Sequence, residues 1–155
     1  MKPWKQALRD GMAPGALAGL SSLAALAWRG RRENGSALAP LNAPSHWVWG
    51  DRALQQDGPS WRYTGLGLLI HQGSAMFWGV LYERFFAGTE RSTRLSADLR
   101  TAVVATAAAA TVDLALTPKR FTPGFEKRLS PRGLLIVYLG FALGVAAGSR
   151  YLRRR

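Results

Sequence analysis

The chain has no cysteine among its 155 residues, so disulfides, thiol nucleophiles and Cys-ligated zinc or iron–sulfur centres are excluded. This absence leaves the redox compartment open. Histidine is almost as scarce: His46 and His71 are the whole supply, and neither has a second ligand at HxxxH or ExxH spacing, so no metal site is expected. A GxSxG nucleophile elbow, a P-loop and a GxGxxG turn after a strand are also missing, which removes the motif basis for serine hydrolysis, phosphate cradling and dinucleotide binding. No catalytic residue and no cofactor is assigned, and a non-enzymatic protein is expected. Acidic residues number nine against 21 Lys and Arg, for a formal net charge of +12.

That charge, with a pI near 11.4 and a mean hydropathy of −0.05, would suit a soluble nucleic-acid binder if the residues were evenly spread. They are not. Four apolar windows, 12–28, 63–82, 101–117 and 133–149, hold most of the hydrophobicity, and nearly all of the charge lies between or beyond them. A bilayer's hydrocarbon core is about 30 Å thick and takes about 17 to 25 apolar helical residues to cross, which is the length of each window. The arginines cluster at the window ends (Arg29, Arg31, Arg32, Arg62, Arg84, Arg100, Arg132 and Arg150 onward), where they suit lipid phosphates rather than a nucleic acid. The expected fold is an all-α, polytopic transmembrane four-helix bundle. The longest connection, 29–62, is too small and polar for a core of its own, so a single integral membrane domain over 1–155 is expected.

The windows are unequal. The first has a rival reading as a secretory signal, because Lys2, Lys5 and Arg9 precede it and Ala25-Leu26-Ala27 imitates a cleavage site. Arg29, Arg31 and Arg32 just beyond it oppose export, which favours a retained span. The second is the best supported, with no formal charge and Trp61, Tyr63, Trp78 and Tyr82 toward its ends as an aromatic belt. The third is weakest, being rich in Ala and carrying Asp113. Lys and Arg total 11 on the side of the termini and 10 on the other, so the lean toward cytoplasmic termini rests on the basic tail and on the Trp-rich first connection suiting the outer interface.

Small residues recur at intervals of four. Gly11, Gly15 and Gly19 do so in the first window, Gly67, Ala75 and Gly79 in the second and Gly140, Gly144 and Gly148 in the fourth. Such ladders let helix backbones approach closely, either within one chain or between copies or membrane-protein partners. His71 shares the ladder face of the second window, and Asp113 follows Ala105 and Ala109 on that of the third. An intramembrane imidazole and carboxylate can pair structurally, or relay protons in a small transporter or channel subunit; Asp113 can also snorkel toward Lys119 and Arg120. Glu83 is expected to pair with its neighbour Arg84.

In the first connection, Pro44 suits the first turn of a short helix carrying His46, Trp47, Trp49 and Asp51, read as an interfacial anchor or, alternatively, a binding loop. In the third, Lys119, Arg120, Lys127 and Arg128 suit solvated loop charges or anionic lipid headgroups. Asn42-Ala43-Pro44-Ser45-His46-Trp47, Ile70-His71-Gln72 and the run from Thr117-Pro118-Lys119 to Gly124-Phe125-Glu126 resemble strings in small four-span inner-membrane proteins of Gram-negative bacteria. The resemblance covers the chain loosely from Ala39 onward. It implies an inner-membrane address and carries no chemical role.

Overall fold

The computed structural model describes residues 1–87 and 95–153, and among these it is all-helical, 84% helix with no strand, which establishes the α class. Arg91 and Arg94 of the second connection, and Arg154 and Arg155 of the basic tail, lie outside the described residues. Helix α1 (Trp4–Asp10) and helix α2 (Met12–Glu33) meet at Gly11 with a bend of 42°. Pro14 falls in the first turn of α2, where its missing N–H removes no helical bond. The helix continues five residues past Trp28 and gives way near Gly35, whose φ of +71° is left-handed backbone that glycine adopts readily.

The first connection folds into short pieces: α3 (Ala39–Asn42), a tight turn at Ala43–Ser45, α4 (His46–Trp49) and a second tight turn at Gly50–Gln55. Helix α5 (Leu66–Leu81) is entered through a π turn, Trp61–Gly65, and left through another, Tyr82–Phe86. The Ser60 hydroxyl accepts the Tyr63 N–H at 3.0 Å and caps the entry. Helix α6 (Leu95–Thr111) runs on into a π turn at Val112–Leu116 and stops at extended Thr117, the conformation favoured before Pro118. Helix α7 (Pro131–Arg153) opens on a proline, and the Ser130 hydroxyl accepts the Gly133 N–H at 3.1 Å.

Among the described residues, two to three helices are long and apolar enough to cross a membrane. Leu95–Leu116 and Pro131–Leu152 qualify singly, at 22 residues each, and the bent pair α1–α2 qualifies if it forms one span. The Ala-rich third window, the weakest on composition, gains length because its helix starts six residues earlier, at Leu95 rather than Thr101. The second window, the strongest on composition, has only 16 residues of regular α-helix between its π turns.

The chain divides into two compact units. In the first (Met1–Ser22, Gln72–Ala109, Tyr138–Arg155), α2 and α5 run antiparallel along a glycine seam. A Cβ on Gly11 would fall 2.5 Å from the Val80 Cα, and one on Gly15 would fall 2.7 Å from the Met76 Cα, while Gly19 faces the Gln72 amide. On another side of α2, Gly144 faces the Ala18 Cα and Gly148 the Pro14 Cα, both at 2.5 Å by the same measure, and the Ser21 hydroxyl donates to the Gly140 carbonyl at 2.7 Å. Only residues without side chains permit these approaches, so the ladder glycines of this unit meet helices of their own chain. Ala18, Tyr82, Ala102, Ala105, Val145 and Ala146 form its buried apolar cluster.

The second unit (Leu23–His71, Ala110–Val137) buries Leu26, Leu41, Phe125, Leu129 and Val137. Gly67 lies against the Leu41 carbonyl, an approach that excludes any side chain there. Buried Asn42 donates to the Gln56 carbonyl at 2.8 Å and the Gly58 carbonyl at 3.0 Å and accepts from the Thr64 hydroxyl at 2.6 Å. One satisfied amide thereby fastens α3 to the approach of α5.

Candidate functional site

The second unit brings His46 and Trp47 of the first connection, His71 of α5 and the stretch from Thr122 to Phe125 into one cluster. The Thr122 carbonyl accepts from His46 Nε2 and Trp47 Nε1, each at 2.8 Å. Because a carbonyl only accepts, Nε2 of His46 carries the proton. Gly124, at φ +86°, faces the Ala43 carbonyl and the His46 ring so closely that a Cβ would lie 2.7 Å from either. His71, half-buried on α5, meets Phe125 edge-on, with ring centroids 6.3 Å apart. Trp47 also meets Phe121 edge-on at 5.8 Å. His46 is buried and Trp47 half-buried, whereas Val48, Trp49 and Asp51 are exposed. Asp113 sits half-buried in the π turn that follows α6.

Lys119, Arg120, Lys127 and Arg128 of the third connection have different surroundings. Arg128 donates to Asn34 Oδ1 at 3.0 Å, to the Leu54 carbonyl and to the Asp57 carboxylate, so its donors are used within the unit. Lys127 stands 3.9 Å from exposed Asp51. Lys119 and Arg120 are exposed, and Arg120 reaches the Val48 carbonyl at 3.5 Å. A further ion pair joins Arg29 to Glu33, which also accepts from the N–H and hydroxyl of Ser130. Glu33 lies outside the apolar window that ends at Trp28. Burial pushes its pKa up, but the Ser130 N–H, the Arg29 guanidinium and the Ser130 hydroxyl outweigh that effect and hold the carboxyl below its ordinary value.

A buried ion cluster in the first unit is absent from the sequence reading. Lys2 Nζ donates to the Glu83 carboxylate and, at 3.2 Å, to Asp10 Oδ2; Arg9 Nε donates to Asp10 Oδ1 at 3.1 Å, and the Ser149 hydroxyl to Glu83 Oε1 at 3.3 Å. The Asp10 and Glu83 side chains are 3% and 1% exposed, so Lys2 and Arg9 supply charge that these carboxylates need out of water. Arg150, next to Ser149, pairs with Asp98 at 3.0 Å. Glu83 therefore pairs with Lys2, 81 residues away, rather than with adjacent Arg84, whose guanidinium lies over Trp4 at 5.1 Å and Phe85 at 5.2 Å. The only sequence signal was Glu83 closing an apolar window, and local spacing offered Arg84 as its partner.

Among the described residues, no three His, Asp or Glu side chains are grouped to hold a metal ion. The clusters in both units link helix ends and turns by hydrogen bonds and ion pairs. No protein-family model, curated protein or solved structure matches the chain.

Proposed function

We propose that the chain is a four-span integral membrane protein of a bacterial inner membrane, acting as a non-enzymatic structural or interaction component. The observation that carries this reading is the meeting of Lys2, Glu83 and Ser149. A chain that brings Lys2, the turn after α5 and the last turns of α7 to one polar cluster crosses a bilayer an even number of times between each pair of those points. With Leu95–Leu116 and Pro131–Leu152 as the second pair of crossings, the bent α1–α2 pair and α5 make the first. The antiparallel glycine seam between α2 and α5 supports the same path. Regular α-helix in α5 spans about 24 Å at 1.5 Å per residue, short of the roughly 30 Å needed, and the two flanking π turns supply the remaining length.

Helix α4, with exposed Val48 and Trp49, lies in this reading at the headgroup level as an interfacial element. The arginine-rich tail favours cytoplasmic termini, and the resemblance to small inner-membrane proteins supports the address. Because the chain has no cysteine, single-cysteine labelling tests the path directly. Pro3→Cys, ahead of α1, and Ser92→Cys should react with a membrane-impermeant maleimide from the cytoplasmic side, and Gln55→Cys and Lys119→Cys from the other. Labelling of Pro3→Cys and Ser92→Cys from opposite sides would overturn the four-span path.

A further inference from the structure

Two arginines of the second unit converge on one exposed turn at the end of α4. The Arg62 guanidinium carbon stands 4.2 Å from the Trp49 ring centroid, and the Trp49 indole N–H donates to the Arg62 carbonyl at 2.9 Å, so indole and guanidinium are held as a stack. From the other connection, Arg120 Nη2 reaches the Val48 carbonyl at 3.5 Å, and its Nη1 lies 3.7 Å from where a Cβ on Gly50 would sit. Both guanidinium groups thus rest against the three consecutive residues Val48, Trp49 and Gly50. Among the described residues, neither has a carboxylate within ion-pair distance, in contrast to Arg128 and Arg29 of the same unit. Stacking occupies the face of a guanidinium, while its five donors lie in the plane and remain available for a fork-shaped acceptor.

The surroundings select the acceptor. Val48 is 51% exposed, Trp61 93% and Phe121 51%, so the guanidiniums stand among apolar side chains that water disfavours and the headgroup zone accommodates. We propose that Arg62 and Arg120 bind the phosphodiester of an anionic phospholipid, with Trp49 and Trp61 seated among the headgroups. This rests on the four-span reading, which puts the first and third connections on one bilayer surface. An anionic headgroup is favoured over a zwitterionic one because it brings no cation to compete with the two guanidiniums. Free phosphate would satisfy the arginines but would leave the indoles unused.

The test is a lipid titration of the full-length protein in a neutral detergent, read by native mass spectrometry, with phosphatidylglycerol, phosphatidylcholine and inorganic phosphate as probes. The wild-type chain should prefer phosphatidylglycerol to phosphatidylcholine by about tenfold, as expected for two charge-assisted contacts in a partly wet site. Arg62→Ala/Arg120→Ala should abolish the preference with helix content unchanged, and Lys5→Ala, in the other unit, should keep it. Arg62→Lys/Arg120→Lys preserves charge and stem but not the fork, so it should lose part of the preference and serves if the alanine variant misfolds. Equal affinity of the wild type for both lipids, full preference in either double variant, or displacement of lipid by millimolar phosphate would overturn the proposal. The titration needs no bilayer: a failed labelling pattern refutes the span count alone, and a lost preference with the pattern intact refutes the site alone.

Discussion

Lys2 donates to the carboxylate of Glu83, joining the first residues of the chain to the end of α5 inside a cluster where the Glu83 side chain is 1% exposed. Removing one partner of such a pair leaves the other charge buried without compensation. Lys2→Met should therefore lower stability by about 3 kcal/mol or more, the usual scale for breaking a buried pair. Thermal unfolding in detergent, followed by circular dichroism, measures this. The double variant Lys2→Met/Glu83→Gln should recover part of the loss, because the remaining carboxylate, Asp10, still has Arg9 at 3.1 Å. A single variant as stable as wild type would mean that the pair adds nothing to the fold.

The contrast between Gly79 and Gly73, both on α5, tests the glycine seam. A Cβ on Gly79 would fall 2.5 Å from the Gly15 nitrogen, whereas one on Gly73 would meet nothing within 4 Å. Gly79→Ala has to push two helix backbones apart and should cost about 1 to 3 kcal/mol. Gly73→Ala should be neutral or stabilising by up to about 1 kcal/mol, since alanine restricts the unfolded chain and favours the helix. Unfolding midpoints of the two variants side by side decide it, and equal effects would refute close packing at Gly79.

Much of this architecture was legible locally. Apolar runs bounded by arginine marked where helices fall, and the four-residue glycine spacing marked faces for close approach, because both depend on residues within a few turns of each other. What could not be read was pairing across the chain. Glu83 has Arg84 beside it, and nothing local indicates that Lys2 displaces it. The second window overstated its α-helix because hydropathy does not register the π turns at Trp61–Gly65 and Tyr82–Phe86. Likewise Arg128 looked like a free loop cation, while Asn34, Leu54 and Asp57 from a distant stretch use its donors.

Glu33 should give the protein an acid-sensitive component of stability. Its folded pKa lies below the ordinary 4.5, because the Ser130 N–H, Arg29 and the Ser130 hydroxyl favour the carboxylate more than burial disfavours it. Above pH 4.5 both folded and unfolded chains carry the charge, and the native bonds contribute in full. As pH falls from there through the lower folded value, the unfolded chain takes up its proton first and the contribution disappears. Unfolding midpoints between neutral pH and that acid range should fall less steeply in Glu33→Gln than in wild type, and identical slopes would show that Glu33 is uncoupled from folding.

His71 and Asp113 are the residues on which a transport role would depend, and the structural reading makes a definite prediction for them. The His71 ring packs edge-on against Phe125, and Asp113 belongs to the π turn that ends its helix, so both take part in the fold of the second unit. Protein reconstituted into vesicles with an internal pH-sensitive dye should collapse an imposed proton gradient no faster than empty vesicles do. His71→Phe and Asp113→Asn should leave that rate unchanged, with any effect confined to stability. A wild-type flux that Asp113→Asn abolishes in a bundle of unaltered helix content would instead establish a proton pathway, because loss of a packing contact cannot remove a flux while leaving the fold intact.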